Sequence, residues 1–77
     1  MQSAAEAKQQ GNALFAAQHF AQAIEKYSQG CALAQETSDI ETNIACHSNM
    51  IMAYIKLQQY REALQCANDT LALIPST

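Results

Sequence analysis

The stretch Phe20-Ala-Gln-Ala23-Ile24-Glu-Lys-Tyr27 decides the fold of this chain. Its apolar residues stand at positions i, i+3, i+4 and i+7, which is the spacing of one face of an α-helix. The preceding apolar pattern is interrupted at Gln18-His19, just before the stretch begins. We therefore predict an amphipathic helix that starts near residue 20 and follows an earlier helix after a very short turn.

A second stretch, Tyr60-Arg-Glu-Ala63-Leu64-Gln-Cys-Ala67, repeats this pattern 40 residues later in the chain. The 77 residues include only 2 Gly and 1 Pro. Ala, Gln, Leu and Glu are common, and these residues favour helices over strands. We predict an all-α fold of four helices that form two tandem helix-turn-helix hairpins.

The first helix is opened by Ser3 and Glu6, which have the spacing of a capping box. We expect this helix to cover about residues 4–17. Gly11 lies inside it and costs roughly 1 kcal/mol relative to Ala unless another helix must approach closely there. Gly11 therefore indicates tight helix packing.

The later helices are bounded by similar signals. We expect the second helix to extend to about Gln35, and Ser38 with Glu41 has the spacing of another capping box that opens the third helix. Pro75 is expected to stop the fourth helix, because the residue before a proline is disfavoured in the helical region. The buried face of the third helix is predicted at its large apolar residues, Ile40, Ile44, Ile51, Tyr54 and Ile55.

Composition and charge exclude several classes of function. The chain is 49% hydrophobic, carries a formal charge of −3 and has no basic run, so a surface for nucleic acid has no electrostatic basis. The three cysteines lie 15 and 20 residues apart, without a CxxC pair, so neither a disulfide framework nor a zinc site is favoured. No signal peptide or membrane span is indicated. We predict one small domain over residues 1–77 in a reducing, cytoplasmic location.

The repeated pattern resembles that of the tetratricopeptide repeat family, whose unit is about 34 residues long. The resemblance is carried by the two stretches quoted above, by Gly11-Asn12-x-x-Phe15, and by the proline at 75. It implies repeats over about residues 4–36 and 39–74, with some six extra residues between hairpins, and the start of a right-handed α-solenoid. At the place that corresponds to Gly11, the second repeat carries Ile51.

Within that family, the chain is most similar to the carboxylate-clamp domains of heat-shock co-chaperones. Lys8-x-x-x-Asn12 on the first helix and Asn49 on the third match three of the clamp positions. The resemblance implies that these residues bind the acidic C-terminal peptide of a heat-shock chaperone, which ends in Glu-Glu-Val-Asp. The two other basic clamp residues belong to a third repeat in that family, so we expect the clamp here to be incomplete and the sequence to be part of a longer domain.

The chemistry of these residues is consistent with carboxylate binding. Lys8 and Asn12 are four residues apart and share one helix face, and an ammonium and amides can all donate to a carboxylate. Phe15, Met52 and Lys56 are expected on the same side, where Phe15 and Met52 offer apolar contacts. The alternative is that Lys8 is a solvated surface residue and that the two asparagines cap or bridge helices.

We predict that the protein is not an enzyme and binds no cofactor or metal. Cys46 and His47 are adjacent, and adjacent helical residues do not face each other, so a nucleophile and base pair is disfavoured. His19 is expected on the surface. Cys31 and Cys66 lie on apolar stripes and are expected in the core.

A rival prediction is a scaffold or self-association module. Leu64, Leu71 and Ile74 lie on the outer face of the fourth helix, and repeat proteins usually need three or more units with a polar terminal face. This surface would then bind a partner protein or pair two copies of the chain as a homo-oligomer.

Overall fold

The computed structural model describes residues 2–74, which form four α-helices. Their bounds are Ala4–Ala16 (α1), Phe20–Glu36 (α2), Ile40–Lys56 (α3) and Tyr60–Leu73 (α4). No strand occurs in this described part of the chain, so the all-α prediction is confirmed. The predicted ends of the first two helices are each off by one residue, and Pro75 lies outside the described residues.

The helices pack in chain order. Each helix packs against the next, and α1 also contacts α3. α2 is therefore covered by two helices, whereas α4 contacts α3 alone within residues 2–74.

The three connections between helices share one backbone geometry. Gln18, Ser38 and Gln58 have φ angles of 66°, 57° and 61°, in the left-handed region. The N–H of Gln18 bonds to the carbonyl of Phe15 at 2.9 Å, and the next N–H bonds to the carbonyl of Leu14 at 2.8 Å. The other two turns repeat this pair of bonds, which defines a Schellman motif. None of the three left-handed positions is glycine, which is the residue that adopts this conformation without steric cost.

The helix caps confirm one prediction and correct another. The capping box of Ser3 and Glu6 is present at the start of α1. The predicted box of Ser38 and Glu41 is wrong, because Ser38 is the left-handed turn residue. α3 is instead capped by Asp39, whose carboxylate accepts a hydrogen bond from the backbone N–H of Thr42 at 3.1 Å.

The core contains smaller residues than the sequence pattern predicted. The buried line of α3 consists of Asn43, Cys46, Met50 and Ala53. Of the predicted large residues, Ile40 and Ile55 are exposed, and the others are only half-buried. Small side chains allow neighbouring helices to approach closely, so the branched residues lie at the edges of the contact instead of its centre.

Both glycines lie at such close approaches. A Cβ atom on Gly11 would lie 2.6 Å from Cε1 of Tyr27, inside the aromatic ring's van der Waals contact distance. A Cβ atom on Gly30 of α2 would lie 2.7 Å from the sulfur of Cys46. The tight packing predicted at Gly11 is therefore confirmed, and its neighbour is Tyr27.

Candidate peptide-binding site

Asn12 is the polar centre of the candidate site. Its Oδ1 atom accepts a hydrogen bond from the Tyr27 hydroxyl at 2.7 Å and another from Nδ2 of Asn49 at 3.2 Å. These bonds join α1, α2 and α3 through one side chain. Since both bonds end on the oxygen of Asn12, its Nδ2 group retains two hydrogens that can be donated to a ligand, and Asn49 retains one.

Tyr27 fixes the position of Asn12 from within the core. The Tyr27 side chain is only 1% exposed, and its ring lies against the backbone of Gly11. Burial raises the pKa of the Tyr27 phenol, with a smaller contribution from Cys46. The hydroxyl therefore stays protonated at neutral pH and acts as the donor to Asn12.

A cavity of about 310 Å³ opens beside the two asparagines. Its apolar wall includes Phe15 and Met52, and Phe15 is held by an edge-to-face contact with Phe20 at a centroid distance of 5.1 Å. The full lining is Asn12, Phe15, Ala16, Tyr27, Asn49 and Met52. Amide donors and an apolar surface therefore meet in one concave site, as small ligand sites usually require.

The two predicted lysines do not line this cavity. Lys8 is half-buried one helical turn before Asn12, and Lys56 is exposed in the last turn of α3. The Lys8 charge acts toward the start of α3: hydrogen bonds from Thr42 lower the pKa of the Asp39 carboxyl, and Lys8 lowers it further. The structure thus brings together Asn12, Asn49, Phe15 and Met52, and it leaves both lysines outside their cavity.

Tyr27 and Ala16 are site residues that sequence reasoning missed. Tyr27 lies on an apolar stripe, which predicts a place in the core, and its ring is buried there. The missed feature is its hydroxyl, since a buried tyrosine normally has a hydrogen-bond partner for that group. Gly11 was the signal in the sequence, because a glycine inside a helix indicates that a large side chain packs against it.

A second polar cluster lies around His47 between α2, α3 and α4. Nδ1 of His47 is 2.9 Å from the carbonyl of Asn43 and 3.2 Å from the sulfur of Cys31. A carbonyl only accepts, so Nδ1 carries the hydrogen in this arrangement. Hydrogen bonding with Cys46 raises the pKa of the Cys31 thiol, and burial raises it further, so Cys31 is a neutral thiol at neutral pH.

The remaining candidates for chemistry are placed as follows. Cys46 is fully buried and His47 is half-buried, while His19 is exposed as predicted. Cys66 is buried and Cys31 is half-buried. Within residues 2–74, no three His, Cys, Asp or Glu side chains are arranged to hold a metal ion. No helix in this part of the chain is long and apolar enough to cross a membrane.

Comparisons with protein-family models, with curated proteins and with solved structures found no match to this chain. The resemblance to tetratricopeptide repeats therefore stays a prediction that rests on the residues of the chain itself.

Proposed function

We propose that the chain is a two-repeat module of the tetratricopeptide type that binds the C-terminal carboxylate of a partner peptide. One observation carries the proposal: Asn12 and Asn49 are hydrogen-bonded to each other at the mouth of an apolar cavity, with amide hydrogens left for an acceptor. A carboxylate accepts such bonds and is the natural ligand of convergent amide donors.

The cavity suggests how the peptide lies. A carboxylate on the two amides places the side chain of the last residues against Phe15 and Met52. Met52 is flexible and accommodates apolar groups of different shape. Lys8 and Lys56 lie outside the cavity, so they act by attracting acidic residues of the peptide at longer range, and salt weakens this contribution.

The resemblance to carboxylate-clamp domains supplies the ligand class. We propose an acidic C-terminal peptide of a heat-shock chaperone as the partner, and a co-chaperone or adaptor role for the domain that contains this module. In this role the chain binds and catalyses no reaction.

An NMR titration tests the carboxylate contact. A peptide that ends in Glu-Glu-Val-Asp is compared with the same peptide carrying a C-terminal amide. We expect shifts at Asn12, Asn49, Phe15 and Met52 with the free acid and their loss with the amide. Equal shifts with both peptides, or none with either, would contradict the proposal.

Matched variants separate the site from the rest of the surface. Asn49→Ala removes one amide donor, and a charge-assisted bond contributes about 1.5–3 kcal/mol, so the affinity should fall by roughly 10- to 150-fold. Asn68→Ala makes the same change on an exposed position of α4 and should leave the affinity unchanged. Lys8→Gln should weaken binding less than Asn49→Ala, and mainly at low salt.

A second candidate function is a scaffold or self-association module that works through α4. It is favoured by the exposed apolar side chains of Tyr60, Leu64 and Leu71 on this helix and of Ile74 directly after it. This function needs no carboxylate ligand and uses a different surface of the chain.

A further inference from the structure

Exposed apolar residues form a regular stripe along α4, and the last of them, Ile74, follows Leu73 in extended backbone. Tyr60, Leu64, Leu71 and Ile74 are 62%, 63%, 65% and 50% exposed. Together with Ala67, they are spaced by four, three, four and three residues along the chain. Within the helix, from Tyr60 to Leu71, this spacing is the a and d pattern of a coiled-coil seam, in which one helix packs against another along its length. We call these five residues the α4 stripe.

The corresponding residues of α2 have the same spacing but are covered. They stand 40 positions earlier, at Phe20, Ile24, Tyr27, Cys31 and Ala34. Tyr27 and Ala34 are fully buried, and the other three are half-buried. α2 is covered by α1 and α3, whereas α4 packs against α3 alone within the described residues 2–74. The α4 stripe therefore has the same spacing as the α2 residues that are covered by neighbouring helices.

The residues that cover α2 show why α1 of a second copy is a poor partner for α4. α3 covers α2 with a buried line of uncharged residues, Asn43, Cys46, Met50 and Ala53. The corresponding face of α1, also 40 positions earlier, carries Ser3, Glu6, Gln10 and Ala13, all of them exposed. Stacking α1 of a second copy on α4 would take the charged Glu6 carboxylate, which accepts a hydrogen bond from the Ser3 N–H, and the Gln10 amide out of water and place them against leucines, which is unfavourable.

The charges beside the stripe are compatible with a second α4. In the heptad assignment, Arg61 and Asn68 flank the stripe on its exposed side, whereas Ala63 and Thr70 flank it on the side that is buried within the chain, and none of the four is acidic. Glu62 and Asp69 fall on the side of the helix opposite the seam. An antiparallel pair keeps the two copies of Arg61 at opposite ends of the interface and aligns the helix dipoles favourably.

We infer that the α4 stripe is the interface of a two-fold homodimer in which α4 packs antiparallel against α4 of a second copy. Such an interface pairs the same patch on both chains and closes at two copies, unlike head-to-tail stacking. The inference rests on the second candidate function and names its partner. It does not depend on the carboxylate site.

Sedimentation equilibrium of the full chain tests the dimer over concentrations from about 1 to about 500 μM, which bracket affinities expected of a small interface. We expect the mean mass to rise from that of one chain to that of two and to stop there. Leu64→Glu with Leu71→Glu should keep the chain monomeric at every concentration. Ile40→Glu, which changes another exposed apolar residue away from the stripe, should leave the dimer intact.

Folding of the variants is checked by helical circular dichroism and thermal unfolding, and Leu71→Ser provides a milder change should the double variant unfold. A chain that stays monomeric at all concentrations would overturn the inference. So would association that continues beyond two copies or that survives the changes to the stripe.

The peptide titration separates this outcome from that of the carboxylate site. The site lies between α1 and α3, so a monomeric Leu64→Glu/Leu71→Glu variant should still bind the free-acid peptide as the unmodified chain does. Loss of dimerisation with retained peptide binding is the expected pattern.

Discussion

The chain has two helix pairs, α1 with α2 and α3 with α4. At one pair of corresponding positions, the large side chain lies on the second helix of the first pair and on the first helix of the second pair. In the first pair, Gly11 on α1 faces the large ring of Tyr27 on α2. Forty positions later, the residues are Ile51 on α3 and Ala67 on α4. The large residue thus moves from the second helix of a pair to the first. The two pairs of residues have similar total side-chain volume, so we expect either arrangement to keep two helices in contact.

The exchange also decides where a polar site is possible. Tyr27 carries a hydroxyl that holds Asn12 in place, whereas Ala67 has no polar group and the residue that corresponds to Asn12 is Met52. The first pair therefore combines packing with a hydrogen-bond network at the cavity. The second pair contributes Asn49 and Met52 to that cavity from α3, whereas no residue of α4 is among those that line it.

The largest expected effect comes from Tyr27→Ala. Removing a fully buried aromatic side chain costs about 3–5 kcal/mol, and this is most of the free energy of unfolding of a domain of this size. We expect a loss of cooperative unfolding or a large drop in the midpoint of urea unfolding, followed by circular dichroism. Gln22→Ala, at an exposed position of the same helix, should change stability by less than about 0.5 kcal/mol.

A double variant tests whether the residues of the second helix pair can replace those of the first. Gly11→Ile combined with Tyr27→Ala places the residues of the second pair in the first pair. If the two arrangements are equivalent, the double variant should be more stable than Tyr27→Ala alone. A double variant that is less stable than either single variant would contradict the idea that volume is exchanged between the partners.

The second prediction is that the difference in stability between alanine and glycine has opposite signs at positions 11 and 51. At position 11, alanine should be less stable than glycine by about 1 kcal/mol, because its Cβ would lie 2.6 Å from the buried ring of Tyr27 and overpacking exceeds the gain in helix propensity. At position 51, where isoleucine already fits, Ile51→Ala should be more stable than Ile51→Gly by up to about 1 kcal/mol. Thermal unfolding of the four chains measures both differences. The same sign at both positions would break the comparison.

The sequence predicted the four helices because their apolar residues recur at helical spacing and their turns are short. It did not predict the buried centre of α3, since apolar character favoured Ile40 and Ile55 over Asn43 and Cys46. Burial at a close helix contact depends on side-chain volume, which periodicity does not measure. The prediction of Ser38 as a helix cap was wrong because a serine followed by Glu three positions later matches the capping-box pattern wherever it lies. The pattern does not show that the backbone of Ser38 is in the left-handed turn.

The site could be predicted in part. Asn12, Asn49, Phe15 and Met52 were identified from residue spacing and resemblance, and they line one cavity. Lys8 and Lys56 were predicted on the same side as these residues, but in the structure they lie outside the cavity. A shared helix face fixes the direction of a side chain around the helix axis and does not fix its position along the axis. The hydrogen bond from Tyr27 was beyond the sequence, since it depends on how closely α2 approaches α1.

The third prediction concerns the turns, which are alike in both pairs. Gln18→Gly and Gln58→Gly should each stabilise the chain by about 0.5–1 kcal/mol, because glycine adopts the left-handed conformation without steric cost. Chemical denaturation of each variant measures the change. Gln22→Gly, at an exposed position within α2, should instead destabilise by up to about 1 kcal/mol. Unequal effects at positions 18 and 58 would indicate that the two turns differ.

The smallest expected effect separates the caps that open the two pairs. α1 is capped by Ser3, which does not titrate, and α3 by Asp39, whose pKa is lowered by hydrogen bonds from Thr42 and by Lys8. A carboxyl whose pKa is lower in the folded chain adds stability above its unfolded pKa of about 3.9, and this stability is lost as the pH falls through the folded pKa. Asp39→Asn keeps a good capping side chain but has no charge to lose. The unfolding temperature of the unmodified chain should therefore fall more than that of Asp39→Asn between pH 6 and pH 2.5. Ser3→Ala should shift the unfolding temperature by the same amount at both pH values, and a pH-dependent shift at Ser3 would contradict this difference between the caps.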